Sequence, residues 1–324
     1  MISIIAVLRP IIGLFFYVFI ALLCVALIVW LFCRIGNVLL REYYSYKIKN
    51  LSKSGTSPQF RNVTSQMCTQ SQMESSEYKG LCKKFDIPIN YRRKEWEFVY
   101  IMQALLEQDK AGPGKKGLGF GTGREPLVPI FASLGCKILA TELELEEAKK
   151  KGWAKKDVDN IRLEEFVRPG CDIETLKKQV SLRFVDMKHI DKDLRDFDFV
   201  WSACSLEHLG TIALGLQFIE NAMDCLKPGG IAVHTTEFNV CSDSFTVEKN
   251  KNTVIFRKRD FLQLKDRLQK KGHRIFPYNF NPGSLPHDLF IDLPPYSDKR
   301  DRAHIKLLTN LFAVSSFGII IQKA

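Results

Sequence analysis

Residues 117–127 read Gly-Leu-Gly-Phe-Gly-Thr-Gly-Arg-Glu-Pro-Leu, with four glycines at alternate positions leading into a run of helix-forming residues. A strand that passes through closely spaced glycines into a helix lets backbone approach a ligand with no Cβ in the way. On either side the chain alternates short apolar runs with amphipathic segments, the pattern of an open parallel sheet covered by helices. Upstream, Phe98, Ile101, Met102 and Leu105 repeat at helical spacing; downstream, Leu127, Ile130, Phe131 and Leu134 form a helix that stops at Gly135. The next strands read 137–142, 182–186 and 197–202, followed by a long helix from about Leu206 to Leu226. The turn Lys227-Pro228-Gly229-Gly230 feeds a fifth strand at 231–235, and 274–280 and 312–321 complete seven. The expected fold is α/β, a Rossmann-like doubly wound seven-stranded sheet, with residues 144–180, including Trp153, as an insertion.

Two cofactor classes use such a loop. The dinucleotide fingerprint is G-x-G-x-x-G, whereas Gly119, Gly121 and Gly123 give G-x-G-x-G, a spacing that favours S-adenosylmethionine over NAD. Glu142 ends the second strand about twenty residues past the loop, where an acid accepts hydrogen bonds from ribose hydroxyls. Asp186 ends the third strand within reach of an adenine amino group, with Met187 against the ring.

These pieces taken in order, GLGFGTGREPL, ATELE, VDM, DFDFVWSACSLEHL and LKPGG leading into HTTEFN, resemble the class I S-adenosylmethionine-dependent methyltransferases over roughly residues 91–324. The glycine loop and LKPGG are shared by the whole class; SxEHL with TTEFN is similar to a narrower group acting on small molecules or sugars. The resemblance implies contacts to the methionine moiety at Gly119, Gly121 and Gly123, to the ribose at Glu142, to adenine at Asp186 and Met187, and a further contact at Ser202. The class usually carries an acid two residues before the first loop glycine; here Gly117 stands there, and Glu125 is the candidate to bind the amino-acid end of the cofactor instead.

Methyl transfer from a sulfonium needs an acceptor held in line and, for a hydroxyl, a base to take its proton. Glu207 and His208 follow the fourth strand and Glu237 ends the fifth, so the three are candidates as a general base or as ligands of a divalent cation. The Glu-His pair is similar to part of the magnesium site of certain 2′-O- and quinol O-methyltransferases, but the further acid of that pattern is missing, and the base is preferred. His287 and Asp288, in the proline-rich stretch 277–296, are candidates on an acceptor lid.

The amino-terminal part reads differently. From Pro10 to Cys33 no residue is charged, and a helix of that length exceeds the roughly 30 Å apolar core of a bilayer. Residues 1–41 are read as an uncleaved transmembrane anchor with its flanks, 42–85 as a flexible linker rich in Ser, Thr and Gln, and 86–324 as the methyltransferase domain. Arg34, Arg41, Lys47, Lys49 and Lys53 on the carboxyl side of the anchor place the domain in the cytosol, whereas the sequon Asn62-Val63-Thr64 argues for a lumenal alternative.

Of the 324 residues, 47 Lys and Arg against 36 Asp and Glu leave +11, a charge that suits nucleic acid, an anionic membrane surface or a phosphorylated substrate. Nine cysteines at irregular spacing, with no CxxC pair, suggest neither a zinc ribbon nor a disulfide scaffold. The expected partners are a membrane and a small-molecule or lipid-linked acceptor carrying a hydroxyl or carboxyl. A binding module without catalysis is the alternative; RNA 2′-O-methylation ranks lower, since no RNA-binding module accompanies the domain.

Overall fold

A computed structural model describes residues 4–144, 162–296 and 302–324, with side chains from residue 16 onward except Cys33. Residues 145–161 of the expected insertion, Trp153 among them, lie outside the described residues, but the rest is packed, with Phe166, Cys171 and Leu176 buried.

The chain opens with helix α1 (Ile4–Leu51), which is long and apolar enough to cross a membrane and exposes its side chains from Phe16 to Phe32. It does not stop at the expected anchor boundary. Tyr44 and Ile48 are buried in the core of the domain, the Arg41 Nε donates to the Ile291 carbonyl at 3.1 Å, and the Tyr44 hydroxyl donates to the Leu311 carbonyl.

The expected linker 42–85 is likewise folded. It carries β1 (Ser65–Gln66), α2 (Gln70–Glu74) and α3 (Ser76–Lys84), and buries Phe60, Val63, Met67, Cys68, Met73, Tyr78 and Cys82. These apolar residues follow neither a helical nor a strand period, so their packing role left no pattern in the sequence. They cover α4 (Arg93–Glu107), whose Trp96 indole donates to Gln72 Oε1 at 3.0 Å and whose Tyr100 hydroxyl donates to the Thr64 carbonyl at 2.7 Å.

After α4 come β2 (Lys116–Phe120), α5 (Leu127–Ser133), β3 (Lys137–Glu142), α6 (Ile173–Gln179), β4 (Val180–Phe184) and β5 (Phe197–Ala203). Then follow α7 (Ile212–Ala222), β6 (Leu226–Asn239), α8 (Lys258–Lys270), β7 (Arg274–Ile275), β8 (Tyr278–Asn279), α9 (Pro286–Leu289), β9 (Ile291–Asp292), β10 (Lys306–Thr309) and β11 (Phe312–Gln322).

The main sheet runs β4-β3-β2-β5-β6-β11-β10-β9, with β7 paired to the far end of β11. Strands β4, β3, β2, β5 and β6 are parallel, and β11 is antiparallel to β6. The sheet therefore has nine strands among the described residues, not seven. The two extra ones, β9 and β10, are too short to show alternation, and β1 pairs with β8 in a separate two-stranded sheet. β6 begins at Leu226, so the expected turn 227–230 lies inside the strand's first half.

Helices α4 and α5 cover one face together with Phe199, Trp201, Ile231 and Val233; α7 and α8 cover the other with Val200, Ala232 and Phe238. The strand order reverses between β2 and β5, which opens a crevice at their carboxyl ends.

Candidate cofactor and acceptor site

The glycines of β2 divide into two pairs. A Cβ on Gly117 would stand 2.3 Å from Phe199 Cζ, and one on Gly119 would stand 2.4 Å from Trp201 Cζ2. Those two rings stack at 5.7 Å on the neighbouring strand, so the first two glycines make room for the protein's own aromatics. The space beside Gly119 is thus taken by Trp201, which leaves its backbone as the part that could face a ligand, and at 117 the Phe199 ring stands where an acidic side chain would begin.

Gly121 and Gly123 behave differently, with φ of 60° and 49°, a left-handed backbone that strains side-chain-bearing residues. A Cβ at Gly121 would fall 2.8 Å from Ser205 Oγ, whereas at Gly123 the nearest atom is Glu142 Oε2 at 4.0 Å. The loop thus has open space beside Gly123, where a ligand is expected, while Gly121 is packed against Ser205.

Around the loop, the Glu142 carboxylate accepts from the Gly123 N–H at 2.8 Å and from the Leu143 N–H at 2.9 Å. Met187 is buried with its sulfur 3.5 Å from the Cβ position of Gly121. Asp186 accepts from the Lys188 N–H at 2.9 Å and lies 3.3 Å from His189 Nδ1. Glycine backbone, carboxylate and thioether therefore surround one crevice and fit a nucleoside with an amino-acid tail.

Ser202 does not belong to this group. It is fully buried, with Oγ 2.9 Å from Nδ1 of His234, itself buried and held neutral because burial lowers its pKa to about 3. The residue that touches the loop is Ser205, whose hydroxyl donates to the Gly121 carbonyl at 3.1 Å. The end of β5 at Ala203 decides between them, and the sequence pattern does not mark that end.

Glu125 is buried beneath the loop, its carboxyl accepting from the Trp201 indole N–H. Burial pushes its pKa up to about 8, against the opposing pull of that hydrogen bond and of the nearby Lys94.

The acceptor candidates meet on a framework that the sequence reading missed. Glu97 is buried on α4, 3.2 Å from Arg93 Nη1 and 3.1 Å from Lys94 Nζ, and it also accepts from Cys204 Sγ at 2.9 Å and from the Ser316 hydroxyl. Arg93 reaches on to Glu237 Oε1 at 2.5 Å. Burial alone would raise the Glu97 pKa, but Lys94 and Arg93 outweigh it and hold the carboxylate below its ordinary value. A signal was available, since Glu97, Ile101 and Leu105 share one helical stripe, and a glutamate on a core stripe calls for partners.

Glu207 and His208 sit on a single 3₁₀ turn (Leu206–Leu209), which Gly210 (φ 101°) separates from α7. This corrects the expectation that they open the long helix. That helix is capped instead by Thr211, whose hydroxyl accepts from the Leu214 N–H. Glu207 is buried, accepts from the Thr236 hydroxyl at 3.0 Å, and is shifted upward by burial.

Thr236 and Glu237 point to opposite faces of β6, so the two glutamates approach the strand end from opposite sides. His208 turns to the loop after β6, where its Nδ1 meets the Asn252 carbonyl. The three therefore do not form a ligand set for a cation, and among the described residues no three His, Cys, Asp or Glu side chains stand together as one.

The lid candidates lie elsewhere. The His287 ring lies against Tyr91 with centroids 4.0 Å apart and a tilt of 36°, and Asp288 is buried, accepting from the Gln70 N–H at 2.8 Å with Lys306 Nζ 3.9 Å away. Asp288 is thus a structural anchor for its loop.

No protein-family model and no curated protein matches the chain. Among solved structures it is similar to an S-adenosylmethionine-dependent methyltransferase from Clostridium acetobutylicum, at 13% identity over 76% of this chain and 99% of that one, with a TM-score of 0.40. The glycopeptide N-methyltransferase MtfA matches at 12% identity over 69% and 90%, with a TM-score of 0.38. The [4+2]-cyclase SpnF matches at 16% over 58% of this chain, which spans 64% of SpnF, with a TM-score of 0.38. Its own strand order and the crevice at the switch point give this chain a Rossmann-like α/β fold.

Proposed function

We propose that the chain is an S-adenosylmethionine-dependent methyltransferase, held at a membrane by α1, that methylates a hydroxyl or carboxyl of a small molecule, sugar or lipid-linked intermediate. The observation that carries this reading is the grouping of the left-handed Gly121–Gly123 loop, the Glu142 carboxylate and Met187 in one crevice. Glu142 would hold the ribose hydroxyls, Met187 the purine, and Glu125 or Lys94 the amino-acid end. Bound there, the sulfonium supplies an already activated methyl group.

The remaining work falls to this chain's side chains. Because a carbonyl only accepts, Nδ1 of His208 is the protonated nitrogen facing Asn252, which makes Nε2 the basic one. In that tautomer His208 takes the proton of an acceptor hydroxyl. Glu237, neutralised by Arg93, and Glu207, kept protonated more readily by burial, shape the acceptor side as hydrogen-bonding groups rather than as a block of negative charge.

The five basic residues after the apolar run support a cytosolic domain. Titrating the full-length protein in detergent with S-adenosylhomocysteine tests the core of the reading: saturable binding that Gly121→Val removes is expected, and absence of binding by the natural chain overturns it. Incubating membranes with a methyl-labelled donor then identifies the acceptor.

A further inference from the structure

We propose that the tip of the β10–β11 hairpin, Asn310–Leu311, is a membrane-contact element that places the leucine side chain in the bilayer interface beside the point where α1 emerges. This rests on the reading of α1 as a membrane-spanning helix. The tip is a two-residue turn between the paired Thr309 and Phe312, and both of its residues have positive φ, 49° and 67°. Asparagine tolerates that backbone, but the second position of such a turn is glycine's, and a leucine there is an outlier. Its side chain is also 72% exposed. In water both features are unfavourable, and an apolar partner removes the second.

Three observations on α1 identify that partner as lipid. The Tyr44 hydroxyl donates to the Leu311 carbonyl, which fastens the tip to the helix, and the burial of Tyr44 and Ile48 removes any swivel between them. Past Arg34 the helix still exposes Ile35, Val38 and Leu39, so its apolar surface ends only about 7 Å, five residues, short of Tyr44. Tyr43 and Tyr46, both exposed, and the basic residues Arg41, Lys47 and Lys49 then follow, the succession found where a spanning helix meets anionic headgroups. Leu311 is held at that level.

Photocrosslinking in lipid nanodiscs containing phosphatidylserine tests this with the full-length chain. A benzoylphenylalanine is placed in turn at Leu22 on the apolar run, at Leu311, and at Phe184, which is exposed on the opposite edge strand β4. Lipid adducts at 22 and at 311, the latter at least about fivefold above those at 184, are expected for an interfacial tip. Adducts at 22 with none at 311, or equal yields at 311 and 184, overturn the proposal and leave the anchor standing. No adducts at 22 overturn the anchor itself. A probe at Asn310 repeats the measurement with Leu311 in place, so a misfolded turn does not decide the outcome.

Discussion

The backbone N–H of Gly123 donates to the carboxylate of Glu142 at 2.8 Å, joining the glycine loop to the end of the next strand. The same carboxylate is the candidate ribose acceptor, so one side chain shapes the loop and meets the ligand. Glu142→Ala is therefore expected to weaken S-adenosylhomocysteine binding by about 1–3 kcal/mol, the range for a lost charge-assisted hydrogen bond. Gly121→Val, which forces a branched side chain into a left-handed backbone beside Ser205, abolishes binding in a domain that remains folded by circular dichroism. Calorimetric titration of both variants checks this, and unchanged affinity in both sinks the assignment.

Glu125 makes stability depend on pH. Its folded pKa, about 8, lies above the unfolded value of about 4.5, so the folded state keeps a proton that the unfolded state releases. The contribution is fully present below the unfolded value and is lost as pH rises towards 8. Glu125→Gln, which keeps an acceptor for the Trp201 indole, flattens the fall in Tm between pH 5 and 8. An unchanged slope in the variant assigns the dependence to another group.

His208→Ala is expected to lower turnover by about 10²–10⁴-fold while leaving cofactor affinity almost unchanged. Loss of activity on chelation, restored by magnesium, reassigns the residue to a metal. Full turnover in the variant together with indifference to chelator removes both roles.

Removing Arg93 leaves the buried Glu97 with Lys94 alone and takes from the part-buried Glu237 the cation they share. Arg93→Met should cost about 3–5 kcal/mol in chemical denaturation, the range for breaking a buried pair on one side. Adding Glu97→Gln should recover part of that loss. Strict additivity of the two changes counts against a coupled network.

Membrane topology has a direct assay. In sealed microsomes the carboxyl-terminal domain should be open to added protease and Asn62 unglycosylated; full protection, or a glycan at Asn62, places the domain in the lumen.

The parallel half of the sheet was legible because each strand ends in a recognisable punctuation: the glycines after Phe120, Glu142, and the LKPGG approach to β6. What the pattern concealed shares a physical cause. Residues 56–85 pack through single apolar side chains on loops and helices of five and nine residues, and periodicity registers only residues that repeat. Strands of two to four residues, such as β9 and β10, fall below that threshold too. At the site, Glu142 and Met187 could be placed by counting from strand ends. Ser202 was misplaced because the count was three residues short, and the Arg93–Glu97–Glu237 bridge joins residues 144 positions apart, a relation that no local spacing encodes.

The division of the four glycines sorts genetic damage at this locus into two kinds. Substituting Gly117 or Gly119 drives a side chain into Phe199 or Trp201, so such alleles should yield little protein, lost to misfolding before any ligand is met. Substituting Gly123 meets no neighbouring atom closer than 4.0 Å and costs only the strain of its left-handed backbone, so such alleles should keep more protein than those at 117 or 119 while losing their cofactor. Within seven residues, measuring abundance beside activity separates an architectural glycine from a recognition glycine.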